Sequence, residues 1–315
     1  MKTPDNFTFR PINPDSATEI QSLLRLFLEI EAVDQEGDEI TEEILRLILA
    51  RKGRQRWIAH QAGEPGSLAG YASVHMQTPE RAFFTAAVHP AWRRRGLGSQ
   101  FLEDALAFAR ENNAQQISSS ANATNQGANA FLLVSGFRVA GSAWALHAPA
   151  ETAAGEAALP DGYTILPYTE VNNPRILAEV CNLSRRDMWG HAENTPGAVT
   201  EQDMPSLLTY WLPENIFLAF DPQGQAVGIC AVQPAEQPNN RSRAQLIDAP
   251  TIVPAQRQRG LHLPLLLAAM HRLRSCAAGE IRLEAFGDSE EAVGLYQQAG
   301  FILDSRYIAY CCDLQ

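Results

Sequence analysis

One stretch of this chain is written twice. Val88-His89-Pro90-Ala91-Trp92-Arg93-Arg94-Arg95-Gly96-Leu97-Gly98 aligns without a gap to Ile252-Val253-Pro254-Ala255-Gln256-Arg257-Gln258-Arg259-Gly260-Leu261-His262. Each copy follows an apolar strand-like run and opens into a helix-like run. Each is followed further on by a Gly-Phe step, Gly136-Phe137 and Gly300-Phe301. A repeated strand, glycine-bearing loop and helix indicates two copies of one unit rather than one large fold. A helix N-terminus carries unpaired N–H groups and partial positive charge, so each copy is a candidate phosphate cradle.

The length of 315 residues leaves room for two domains. Hydrophobic residues make up 45% and charged residues 19%, which fits a packed globular chain. The net charge of −11 argues against nucleic acid or an anionic membrane surface as the main partner. No stretch approaches the roughly 20 apolar residues that span a bilayer. The first residues, Met1 to Asn6, lack a signal-peptide pattern. A cytoplasmic location is therefore expected. Cys181, Cys230, Cys276, Cys311 and Cys312 show no metal-ligand spacing, so reduced thiols and no metal site are expected.

Periodicity and capping residues give the order of elements. Phe7–Ile12 reads as a strand. Asp15-Ser16 caps a helix through Ile20, Leu23, Leu24, Phe27 and Leu28, and Thr41–Leu49 is a second helix. Arg56–His60 and Leu68–Val74 form a hairpin around Gly63-Glu64-Pro65-Gly66. Phe83–Val88 is the strand before the first loop, and Gly98–Arg110 the helix after it. Ile117–Ser120, Gln126–Leu133 and Val139–His147 follow as strand, helix and closing strand. Residues 148–161 lack an apolar stripe and read as a linker. The order then recurs: Tyr163–Pro167, Pro174–Arg185, Ile216–Phe220, Ala226–Val232, Ala244–Val253, Leu261–Leu273, Ile281–Ala285, Glu290–Gln298 and Ile302–Cys312. The expected domains are 1–147 and 162–315.

In the first copy the amides of Arg94, Arg95, Gly96, Leu97, Gly98 and Ser99 are placed to face a phosphate, with Arg93, Arg94 and Arg95 adding positive field. The string Val-x-Pro-x-x-Arg-x-x-Gly-x-Gly, then Asn-x-x-Ala and Gly-Phe, resembles the GNAT acetyltransferase superfamily. The resemblance covers nearly the whole chain, once per half, and the arrangement is similar to the tandem type that includes mycothiol synthases. It implies an α+β fold, a three-layer α/β/α sandwich on a mixed, mostly antiparallel sheet, in two tandem copies. It implies acetyl-CoA as acyl donor, with its pyrophosphate on the loop amides and direct transfer to an amine. The cofactor residues it implies are Ala87, Val88, His89, Arg93 to Ser99 and Asn125 in the first half. In the second half they are Ile252, Val253, Arg257, Gln258, Arg259 and Gly260.

The halves match the family unequally. The first has the better loop, but Leu132 stands where the family usually has tyrosine. The second has Gly287-Asp288-Ser289, Ala292, Tyr296 and Gly300-Phe301, but His262 and Pro264 depart from the loop pattern. The resemblance makes Tyr296 the general acid for the leaving thiolate. The family's usual base position is occupied by Leu246, and Asp248, on the same strand face, becomes the candidate base. Ala82 and its strand offer no carboxylate in the first half. Chemistry is therefore expected in the second half. Asp187, Trp189, His191 and Glu193 mark a candidate acceptor pocket. By itself the His89 ring, next to Pro90, reads as a surface turn residue, and His60 and His75 read as structural.

Three rival readings stay open: a CoA-binding sensor or scaffold without turnover, an active first half, and an aminoacyl transferase built on paired folds. The acceptor is expected to be a small-molecule or peptide amine, and the chain a monomer or homodimer.

Overall fold

The computed structural model describes residues 6–37, 40–62, 67–149, 157–189, 199–234, 245–274 and 280–314. The Gly63–Gly66 turn, residues 150–156 of the expected linker, His191, Glu193, Ala244 and Cys276 lie outside them. The chain packs as two compact units, Met1–Ala140 with Ile308–Gln315, and Gly141–Tyr307.

The first unit runs β1 (Phe7–Pro11), α1 (Ala17–Asp34), α2 (Glu42–Ala50), β2 (Arg54–Gln61), β3 (Leu68–Thr78), β4 (Arg81–Val88), α3 (Leu97–Glu111), β5 (Gln116–Asn122) and α4 (Gln126–Val134). Local chemistry sets the helix starts. The Ser16 hydroxyl accepts from the Glu19 N–H and the Thr41 hydroxyl from the Ile44 N–H, pairing two of the donors a helix start leaves open. The α1–α2 pair buries Ile20, Leu23, Leu26, Leu45 and Leu49 against Ile58 and Tyr71 on one sheet face. Helix α3 buries Leu97, Phe101 and Ala105 on the other, against Ala72, Val74 and Phe84. This is the α/β/α layering expected. β1 to β4 pair antiparallel in sequence order, and β4 pairs parallel with β5 only from Arg81 to Phe83. Beyond Phe83 the two strands part.

The second unit runs β6 (Arg138–Pro149), β7 (Thr164–Pro167), α5 (Tyr168–Val171), α6 (Pro174–Arg185), α7 (Met204–Tyr210), β8 (Ile216–Phe220), β9 (Ala226–Gln233), β10 (Gln245–Ile252), α8 (His262–Arg274), β11 (Glu280–Phe286), α9 (Glu290–Gln298) and β12 (Ile302–Asp313). From β4 onward each strand, and α4, begins 164 residues before its counterpart, so the duplication is kept to the residue. β10 likewise pairs parallel with β11 only from Gln245 to Asp248. A bulge between Asp248 and Thr251 interrupts its antiparallel pairing with β9.

The closing strands differ from expectation. Val139–His147 was expected to close the first half, yet Ala143–Pro149 of β6 pairs antiparallel with β11 in the second unit. The end of β12 packs in the first unit instead: Tyr310 is buried there, its hydroxyl donates to Asn129 Oδ1 at 2.7 Å, and Leu314 N–H donates to the Gln115 carbonyl. Alternation marks both segments as strands, but two edges of matching length accept either one. Helices α5 and α7 were not read from the sequence; both are short, and the Met204-Pro205 start of α7 gives little apolar period to see.

Candidate functional site

A strand that parts from its neighbour leaves main-chain groups facing open space. In the first unit the His89 N–H donates to Ala69, across β3. Antiparallel alternation then turns the N–H groups of Val88 and Ala86 toward the open side. Thr85 and Ala86 are exposed although β4 is a central strand, and Ala87 and Val88 are half-buried. The chain next makes one short turn at Pro90–Trp92, and Arg94 and Gly96 adopt left-handed conformations, φ 62° and 90°. Alternating left-handed residues gather successive N–H groups on one concave side. Helix α3 starts without a side-chain cap. Among the described residues, the N–H groups of Arg94 through Ser99 have no hydrogen-bond partner. Such an array at a helix N-terminus suits a phosphate.

The second unit keeps the plan but closes it. Ala249, Pro250, Thr251 and Ile252 are all buried. Where Ala86 offers an N–H, the matching residue is Pro250, which has none. The turn after β10 winds into a longer 3₁₀ helix, Pro254–Arg259, whose own hydrogen bonds occupy amides that are open in the first loop. His262 is buried where Gly98 stands, and burial next to Arg257 lowers its pKa to about 4. Trp189 packs over the end of β11: a Cβ on Gly287 would sit 2.7 Å from the Trp189 backbone.

Several residues expected on the cofactor have other work. The Arg93 guanidinium donates to both oxygens of Asp34 at 2.7 and 2.6 Å and to the Val88 carbonyl at 3.1 Å. Arg257 repeats this, donating to Asp187 at 2.8 Å and to the Ile252 carbonyl at 3.1 Å. Arg93 ties its loop to the end of α1, and Arg257 ties its loop to the end of α6, where it also donates to the Ser184 carbonyl at 3.2 Å; neither is free for a phosphate. Arg95 lies over the Trp92 ring. The His89 ring pairs with Glu29 and accepts from the Ala91 N–H. Asn125 caps α4, accepting from the Ala128 N–H at 3.0 Å, and its amide donates to Glu36 at 2.6 Å. Arg94 remains exposed. In the second loop the N–H of Val253 is spent on Val227, while Gln258, Arg259 and Gly260 are exposed.

Tyr296 does not face an open cleft. It is fully buried, and its hydroxyl donates to Asp288 Oδ1 at 2.8 Å. Burial first, then the Asp288 charge, push the phenol pKa well above its ordinary value, which makes it a poor proton donor. Burial raises Asp288 to about 6. Asp248 also rises to about 6, through burial, against the pull of Arg185 and Trp211. The position suits a base near neutrality, but the strand around it is covered. Asp187 is held by Arg257, and Trp189 by Gly141 and Gly287. Sequence reasoning gave no role to Arg185, Trp211 and Glu284 and read Asp288 only as part of a motif; all four surround this interior. The one signal for Arg185, Glu284 and Asp288 was charge at positions where the first half has the uncharged Ala32, Ser120 and Thr124.

Residues 19–137 match the acetyltransferase (GNAT) family. A mycothiol acetyltransferase of Sanguibacter keddieii is 27% identical over 297 residues, 92% of this chain and 91% of that relative. A second, of Nocardia farcinica, is 29% identical over 262 residues, 80% of this chain and 82% of the relative. Residues 19–137 form a GNAT acetyltransferase domain. Its fold is that of a GCN5-related N-acetyltransferase from Sphaerobacter thermophilus, with a TM-score of 0.71 at 20% identity, over 99% of this chain and 97% of that one. A tandem GNAT protein from the clavulanic acid biosynthesis pathway gives a TM-score of 0.57 at 16% identity, with 98% of each chain covered. The GNAT family takes its acyl group from acetyl-CoA. No described helix of the chain is long and apolar enough to cross a membrane.

Proposed function

We propose that the chain acetylates a small-molecule amine and that the first unit holds the donor. The observation that carries this reading is the open strand edge at Thr85–Val88, continuous with the unpartnered N–H groups of Arg94 to Ser99. Acetyl-CoA supplies the acyl group as a thioester. The loop N–H groups would hold its pyrophosphate, and the open edge of β4 the pantetheine arm. The Ala86 N–H would donate to the carbonyl oxygen as negative charge builds there, an effect worth about 10²–10³ in rate per donor. The attacking amine loses a proton and the sulfur leaves as a thiolate; with a thiol pKa of about 8.5, water is an adequate proton source. Leu132, buried at the position matching Tyr296, supplies no proton. The likeness to mycothiol acetyltransferases over most of the chain supports a small-molecule acceptor, and the acceptor of those enzymes is the first to assay.

A second reading places the chemistry in the second unit. One observation favours it, the Asp248 carboxyl held at about 6. Calorimetric titration of acetyl-CoA separates the two. Gly98→Trp drives a large ring into the first loop, where Phe131 already lies 3.5 Å from a Cβ. Gln258→Trp alters the exposed second loop. Binding lost only with Gly98→Trp is the expected result; binding lost only with Gln258→Trp overturns the reading.

A further inference from the structure

The sheet face beside the first unit's cleft leads to an accumulation of positive charge. Across β4, β3 and β2 the directly opposed residues are Thr85, Ser73 and Arg56, and in the next row Phe83, His75 and Arg54. Opposed residues share a face. Helices α1 and α2 roof that face at Ile58 and Tyr71. The lower strip stays accessible: Thr85 is exposed, and Phe83, His75 and Arg54 are half-buried. The strip ends in a recess of about 850 Å³ lined by Arg51, Lys52, Arg54, His75, Met76 and Asn112 among others.

Among the described residues the charges there have no counter-ion. Arg51, Lys52 and Arg54 form no ion pair among the described residues. Arg56 is fixed beside them, its Nη2 donating to the Ile48 and Arg51 carbonyls at 2.8 Å each, with Nε buried and unpartnered. Burial and the charges of Arg54, Arg51 and Arg56 hold the His75 pKa at about 4, and no acidic group among the described residues offsets them. In a chain of net charge −11, gathering like charges without acids is unfavourable unless an anion completes the set.

We propose that the acceptor of the first unit is an amine that also carries a carboxylate or phosphate, and that Arg54, with Arg51 and Lys52, determines specificity by binding that anion. Two strand spacings and one two-residue step separate Thr85 from Arg54, about 12 Å, so the anion sits roughly that far from the reacting nitrogen. The inference rests on the reading that the first unit is the active one.

The test uses the full chain with saturating acetyl-CoA and follows thiol release. The acceptors are 8-aminooctanoate, 8-aminooctyl phosphate and the neutral 8-amino-1-octanol. A kcat/KM at least tenfold higher for either anionic amine is expected, and the better of the two identifies the anion. Arg54→Ala should erase the ratio through KM, Arg54→Lys should restore part of it, and acetyl-CoA affinity should not change. Binding is read in parallel from the His75 imidazole resonance, whose pKa should rise with 8-aminooctanoate in the wild type and not in Arg54→Ala. Equal kcat/KM for charged and neutral amines, or no response of His75, overturns the inference while the acetyl-CoA placement stands. Loss of acetyl-CoA binding only with Gln258→Trp overturns the placement itself.

Discussion

Replacing Tyr296 by phenylalanine separates a structural hydroxyl from a catalytic one. The wild-type phenol is fully buried and donates to Asp288 Oδ1 at 2.8 Å. The other carboxylate oxygen, Oδ2, is buried without a partner. The Asp288 pKa is raised from 3.8 to about 6, chiefly by burial, and the Tyr296 hydrogen bond opposes that rise. The folded-state value lies above the unfolded one. The carboxyl's contribution to stability is therefore complete below pH 3.8 and lost as pH rises through about 6. Two pKa units correspond to at most about 3 kcal/mol. Removing the hydroxyl strands both oxygens, so Tyr296→Phe should cost about 1.5–3 kcal/mol at pH 7.5, where the carboxyl is ionised, and about 1 kcal/mol at pH 4.5, where it is protonated. Urea unfolding followed by tryptophan emission reports it, since Trp144, Trp189 and Trp211 belong to the second unit. Turnover should stay within about twofold of wild type. A rate loss of about 10²–10⁴ with unchanged stability, the signature of a missing general acid, would refute this account and return the chemistry to the second unit.

Other consequences are equally direct. Ala86→Pro deletes an N–H on the unpaired edge of β4, where proline is tolerated; kcat should fall about 10²–10³ with acetyl-CoA affinity within severalfold, as stopped-flow and calorimetry can check. Arg93→Ala should cost about 2–3 kcal/mol in thermal unfolding because Asp34 is only 11% exposed, whereas Arg257→Ala should cost about 1 kcal/mol or less because Asp187 is 47% exposed. Tyr310→Ala empties a buried site in the first unit, so about 3–5 kcal/mol of stability should be lost. Hydrogen exchange should then rise first in α4, which Tyr310 holds through Asn129.

Much of the fold was legible because its signals are local. Pro174–Arg185, Ile216–Phe220 and Glu290–Gln298 fall where periodicity and caps put them. The ownership of the closing strands was not legible, since alternation says which residues alternate faces and not which edge they join. The glycine loop was readable as a motif, yet Arg93 was read as a phosphate ligand. Its partner Asp34 lies 59 residues away, and nothing local distinguishes an arginine that braces a loop from one that binds an anion. The surroundings of Tyr296 were hidden for a related reason. Register placed it at the family's acid position, but register carries no information on burial, and burial decides whether a phenol can give up a proton.

The two units have diverged in complementary directions from one plan. The first keeps the separation of β4 and β5 empty, so main-chain donors at Ala86 and Val88 stay without partners unless something enters. The second fills the same separation: Ile252 is fully buried where Val88 is half-buried, Pro250 removes a donor, and Trp189 covers the end of β11. Filling the gap gains roughly 25 cal/mol for each Å² of apolar surface removed from water, and it forfeits the space a thioester needs. An open cleft leaves that stabilisation unrealised until a ligand binds, and this is the physical ground for proposing the first unit as the donor site. On this reasoning acetyl-CoA should raise the melting temperature of the first unit and leave that of the second unchanged.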